Sequence, residues 1–114
     1  MTQLIYHMCP FDTWATALAA GAYSGTAQDK ADGFIHFSTA DQIVESARKH
    51  RAGQDGLVLV AVDVERLGKR LKWEEARGGD LFPHLYGPLD PAESANVRPL
   101  PLGPDGNHVF PELE

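Results

Sequence analysis

An α+β fold with short, mostly antiparallel strands and two main helices is predicted by three features of this sequence. Apolar runs of five to seven residues, rich in β-branched and aromatic side chains, recur between glycines and prolines. Helical spacing is sustained over only two windows. Prolines, among them Pro88, Pro91, Pro99, Pro101 and Pro104, crowd the last quarter, where they exclude long helices and favour short edge strands.

Taken in order, Leu4 to Cys9 reads as a strand with Ile5, His7 and Cys9 on one face and Leu4, Tyr6 and Met8 on the other. Pro10 stops it. Asp12 occupies an N-cap position, and Trp14, Ala17 and Leu18 follow at helical spacing up to the glycine stop at Gly21. Ala22 to Asp32 is small and polar and reads as an exposed loop. Gly33 to Ser38 reads as a second strand, placing Phe34, His36 and Ser38 opposite Ile35 and Phe37.

Thr39 and Gln42 have capping-box spacing, and Ile43, Val44 and Ala47 mark the buried side of the helix behind them. Its basic end, Arg48-Lys49-His50-Arg51, complements the carbonyl end of the helix dipole. Leu57 to Val62 is apolar on both faces, as in a central strand covered from two sides. Asp63 caps a short helical turn that ends at Gly68. Arg70 to Glu75 alternates Leu71 and Trp73 against Lys72 and Glu74, and a Gly78-Gly79-Asp80 turn leads to a strand over 81–86. Val97 to Leu102 and His108 to Phe110 form a candidate final hairpin around Asp105-Gly106.

With 114 residues the chain is expected to form one domain spanning 1–114. A net charge of −6 argues against a protein that grips nucleic acid along its phosphates. Eight of the ten Lys and Arg residues nevertheless lie between Arg48 and Arg77, a stretch that reads as a solvated surface. A single cysteine and the lack of a signal-like leader or a long apolar run lead to the expectation of a cytoplasmic protein without a membrane span.

Chemistry centres on three of the five histidines. His7, His36 and His84 lie within apolar or aromatic stretches, where an imidazole must satisfy two ring nitrogens. Taken singly, each reads as a hydrogen-bonded core residue. Together with Ser38, Thr39 and Tyr86 they suggest a polar pocket, since His36 shares a face with Ser38 and His84 with Tyr86. Metal-ligand spacings such as H-E-x-x-H are absent, so no metal is expected. Cys9-Pro10 at a strand end before a helix has the look of a thiol active-site corner, but the second cysteine is missing, and Cys9 reads first as a small buried apolar residue.

Ile5-Tyr6-His7, Gly33 to Thr39 with Gln42, Trp73-Glu74, and Leu81-Phe82-Pro83-His84-Leu85-Tyr86-Gly87 together resemble the bacterial family called domain of unknown function 952. That family is grouped with the ADP-ribosyltransferase-like fold, which implies a split, mostly antiparallel sheet structure around a dinucleotide cleft. The resemblance implies NAD as a substrate and a nucleotide or ribosyl ligand, with ribosyl or phosphoryl transfer as the reaction. The shared strand faces and the resemblance together make His7, His36, His84 and Glu74 the candidate catalytic residues, and Ser38, Thr39, Gln42, Trp73 and Tyr86 the candidate ligand-binding ones. In it His7 matches a histidine on the adenosine side, Ser38 and Thr39 support the cleft, and either Glu74 or His84 takes the place of the catalytic glutamate. A non-catalytic binding module and a glutathione-linked protein using Cys9 are the alternatives.

Overall fold

The computed structural model describes residues 3–76 and 78–113. Its first strand, β1 (Leu4–Pro10), is buried on both faces over six of its seven residues. Ile5 and Cys9 join a core with Trp14, Ala17, Tyr23, Ile35, Phe37 and Leu85. Leu4, Tyr6 and Met8 join a second core with Ile43, Ala47 and Leu100 on the other side. Alternation along one strand therefore feeds two cores, and each fully buried Leu, Ile or Phe contributes about 1.5–3 kcal/mol.

The helix α1 (Phe11–Ala20) follows at once, with Pro10 rather than Asp12 as its N-cap. Pro10 fixes φ near −59° and ends the strand, so the helix starts one residue before Asp12, which lies in its first turn. Gly21 closes it at φ 79°, donating its N–H to the Ala17 carbonyl.

The expected loop after Gly21 instead contains a helix, α2 (Ala27–Asp32). It has no apolar stripe. Thr26 and Asp29 hold its first turn in a reciprocal capping box. Gly25 must be glycine here: its φ is +97° and a Cβ would lie 2.5 Å from Asp29 Cβ.

The expected strand Gly33 to Ser38 is split in two. β2 (Ile35–His36) and β3 (Ser38–Thr39) are separated by Phe37, whose side chain is buried and whose N–H bonds the Pro83 carbonyl at 3.0 Å. The remaining elements are α3 (Ala40–His50), β4 (Leu57–Asp63), α4 (Val64–Leu67), β5 (Leu71–Glu75), β6 (Leu81–Leu85) and β7 (Ser94–Leu100). Four strands form one antiparallel sheet in the order β3-β1-β4-β7, and three form another in the order β2-β6-β5. The fold is α+β with antiparallel sheets and few helices.

The C-terminal hairpin is replaced by a different pairing. β7 runs beside β4, from Leu57↔Leu100 to Val62↔Ser94, and only a single bridge joins Leu102 to His108. Prolines 99, 101 and 104 remove the N–H donors that a second ladder would need. Among the described residues no helix is long and apolar enough to cross a membrane. Arg77, which closes the basic stretch, lies outside the described residues.

Candidate functional site

The three-stranded sheet presents one face to the core and one outward. Antiparallel register pairs Ile35 with Leu85 and His36 with His84, and β5 adds Leu71 opposite Leu85 and Lys72 opposite His84. Directly paired residues share a face, so Ile35, Leu85 and Leu71 turn inward while His36, His84, Lys72 and Glu74 turn outward.

On that outer face His84 Nδ1 lies 2.8 Å from Glu74 Oε1, and the Tyr86 hydroxyl donates to the same oxygen at 2.7 Å. The His84 bond holds the Glu74 carboxyl below its ordinary range, and the Tyr86 bond adds to this. Glu74 in turn pushes the Tyr86 phenol upward. The Phe34 ring lies over this group, 4.0 Å from the His84 ring, 4.6 Å from His36 and 5.5 Å from Tyr86. The His36 and His84 rings stand edge to face at 5.6 Å.

Behind the face lies a buried carboxylate. Asp29 Oδ1 accepts from His36 N–H at 3.0 Å and from His36 Nδ1 at 2.5 Å, while Oδ2 accepts from the backbone and side chain of Thr26. Burial opposes its charge, but the His36 bond, the nearby His7 ring and the Thr26 and His36 backbone donors prevail and draw its pKa down to about 2. Asp29 correspondingly raises the pKa of His36. The second nitrogen of His36 meets Asp32 Oδ2 at 3.0 Å, so both ring nitrogens donate to carboxylates and the ring is an imidazolium.

His7 belongs to the interior and touches this site from beneath. Its Nδ1 lies 2.6 Å from the His36 carbonyl, which can only accept, so the proton resides on Nδ1. Nε2 then accepts from the Tyr23 hydroxyl at 2.5 Å. Burial lowers the His7 pKa, opposed by the Asp29 carboxylate 3.7 Å from Nε2. Tyr23 is also bonded to Cys9, and burial raises both the phenol and the thiol, the latter to about 11.

These contacts correct several expectations. His7 is 3% exposed rather than facing a cleft, with one ring nitrogen bonded to the His36 carbonyl and the other to the Tyr23 hydroxyl. Ser38 pairs with Tyr6 on the α3 side of the larger sheet and bonds Ser46, because the break at Phe37 separates it from His36. Thr39 and Gln42 are occupied at the start of α3: Gln42 Oε1 accepts from Thr39 N–H at 3.0 Å and its Nε2 donates to the Leu81 carbonyl. Trp73 pairs with Pro83 on the face opposite Glu74. Cys9 is completely buried with its thiol raised to about 11, as expected of a small apolar core residue, whereas nucleophilic thiols are lowered and accessible. Among the described residues no group of three or more potential ligands is arranged to hold a metal.

The structure thus brings together His36, His84, Glu74 and Tyr86, and adds Phe34, Asp29 and Asp32. Asp29 carried a sequence signal: Thr26-x-x-Asp29 has the spacing of a capping box. Its reach to His36 had none.

This is an α+β protein whose smaller antiparallel sheet carries an aromatic, histidine and carboxylate cluster in which Tyr86 is exposed, Phe34, His36 and Glu74 are half-buried and His84 is buried. A family model described as protein of unknown function (DUF952) matches residues 8–97, and the chain belongs to that family. Similar solved structures are of protein CC0527 from Caulobacter crescentus. An X-ray structure is 47% identical, covers 93% of this chain and 93% of that chain, and has a TM-score of 0.89. A double mutant of that protein gives 46% identity with the same coverage and TM-score. Its solution NMR structure is 48% identical over 91% of this chain and 90% of that chain, with a TM-score of 0.83. No curated protein matches the chain.

Proposed function

We propose that the outer face of β2-β6-β5 binds a nucleotide or ribosyl ligand, with NAD as the candidate substrate, in an ADP-ribosyltransferase-like domain. The observation that carries this reading is the Glu74 carboxylate, oriented by His84 and Tyr86, whose rings both lie against Phe34. Division of the strands between two sheets agrees with the split architecture that the family resemblance implies.

The expected choice between Glu74 and His84 becomes a pair. Both bonds to Glu74 fall on Oε1, so Oε2 faces the ligand and accepts from a ribose hydroxyl. His84 fixes the carboxylate, and Phe34 and Tyr86 supply aromatic surface for a flat ring. In ADP-ribosyl transfer the bond from C1′ to the nicotinamide nitrogen breaks, and its electron pair leaves with nicotinamide. An anionic Glu74 stabilises the oxocarbenium-like centre that forms, and an acceptor or water supplies the new bond to C1′ and loses a proton.

Thermal shift with NAD and ADP-ribose, joined to a nicotinamide-release assay, tests the reading. A ligand at 100 times its dissociation constant adds about 2.7 kcal/mol. Stabilisation and release are expected with the native chain, and loss of release with Glu74→Gln. Binding without release assigns the face to a non-catalytic module. No stabilisation at millimolar ligand removes this ligand class.

A further inference from the structure

The two carboxylates that hold His36 are not equivalent. Asp29 is buried and has three other donors besides the ring, the backbone N–H groups of Thr26 and His36 and the Thr26 hydroxyl, so it does not leave. Asp32 holds Nε2 from the surface, with its side chain 38% exposed. It is the last residue of α2, and its other bond is from the exposed Gln28 amide to the same oxygen. Exposed ion pairs of this kind are weak and open readily.

Nε2 of His36 thus donates outward to a carboxylate oxygen at a half-exposed position. Asp29 holds the other nitrogen and keeps the ring an imidazolium, and the outer position already accommodates a carboxylate. Lys72, opposite His84 in register, adds a positive charge on the same face, and Glu74 and Tyr86 mark the end suited to hydroxyls. The Phe34 ring bridges the two ends.

We propose that His36 Nε2 is the oxyanion subsite of this face, and that Asp32 occupies it as a built-in competitor which a phosphate oxygen of the ligand displaces. This deepens the nucleotide reading and rests on it for the outer face as the binding surface. Displacement exchanges one N–H···O⁻ contact for another, with Asp32 rotating into water.

Inorganic pyrophosphate is the probe, because it carries the oxyanion without ribose or base. Its affinity is measured for the native chain, Asp32→Asn, His36→Gln and the double variant. An occupied seat lowers apparent affinity by the fraction of time it is free, so Asp32→Asn should bind about fivefold more tightly. That gain must vanish in the His36→Gln background. Equal affinity in Asp32→Asn and the native chain, or a gain that persists without His36, overturns the proposal. The His36 side-chain nitrogen signal in the native chain gives a second readout: it should move on titration while that of His108 stays, and the reverse counts against the subsite. Pyrophosphate binding without ADP-ribose binding would sink the nucleotide reading alone. ADP-ribose binding indifferent to Asp32 would sink the subsite alone.

Discussion

Replacing Asp29 with alanine tests the buried centre of the cluster. The carboxylate is 2% exposed and accepts from Thr26 N–H at 2.7 Å, the Thr26 hydroxyl at 3.0 Å, and His36 N–H and Nδ1 at 3.0 and 2.5 Å. Removal leaves these donors without their acceptor and the imidazolium without its inner counter-charge. Breaking a buried pair in this way costs about 3–5 kcal/mol, whereas an exposed pair costs about 0–1 kcal/mol. Asp29→Ala should therefore unfold at a denaturant midpoint lower by the equivalent of about 3 kcal/mol or more, and Asp32→Ala by less than about 1 kcal/mol. Asp29→Asn preserves shape, and with the charge gone the His36 pKa should fall back toward 6.5, read from its ring resonances. Equal destabilisation by Asp29→Ala and Asp32→Ala, or an unchanged His36 titration in Asp29→Asn, would refute the account of a buried anion holding the site.

Two further outcomes follow from the same network. Stability against pH contains opposing contributions: His36, raised above 6.5, contributes below that value and loses its contribution as pH rises through its folded pKa. His7, lowered from 6.5, contributes above that value and loses it as pH falls through its folded pKa, while Asp29 contributes above 3.8 and is lost toward about 2. Chemical denaturation from pH 5 to 8 should thus show a shallow profile, and His36→Gln should leave stability rising with pH. Native Cys9 should resist alkylation at pH 8 and react only on unfolding, a contrast read by mass spectrometry, since its thiol is buried and raised to about 11.

Local signals in the chain were strong where an element satisfies itself. Asp63 caps α4 through Glu65 N–H as its spacing predicts, and the apolar run Leu57 to Val62 is the core of β4. The pairing of His84 and Tyr86 on one face also follows from strand alternation, and both reach Glu74. Helix α2 was hidden because six residues, Ala-Gln-Asp-Lys-Ala-Asp, carry no apolar period; a capping box and a buried carboxylate hold it instead. The division between β2 and β3 was hidden for another reason. Phe34 to Ser38 alternates as one strand would, and only the long-range pairing divides it, with Ile35 to Phe37 bonded to β6 and Ser38 and Thr39 paired with β1. Alternation therefore predicts Ser38 on the face of His36, whereas the structure pairs it with Tyr6 in the other sheet, and no local pattern shows that His7 bonds the His36 carbonyl from inside.

The join at Phe37 imposes a strict count on the chain. Two residues before it belong to one sheet and two after it to the other, so a single-residue insertion between His36 and Ser38 has no slack to absorb it. Either His36 would rotate inward, exchanging places with an apolar neighbour, or Ser38 and Thr39 would lose their partners on β1. Length variation in this protein is therefore to be sought in its turns and tail, and the seam between its sheets acts as a fixed ruler for the face that carries His36 and His84.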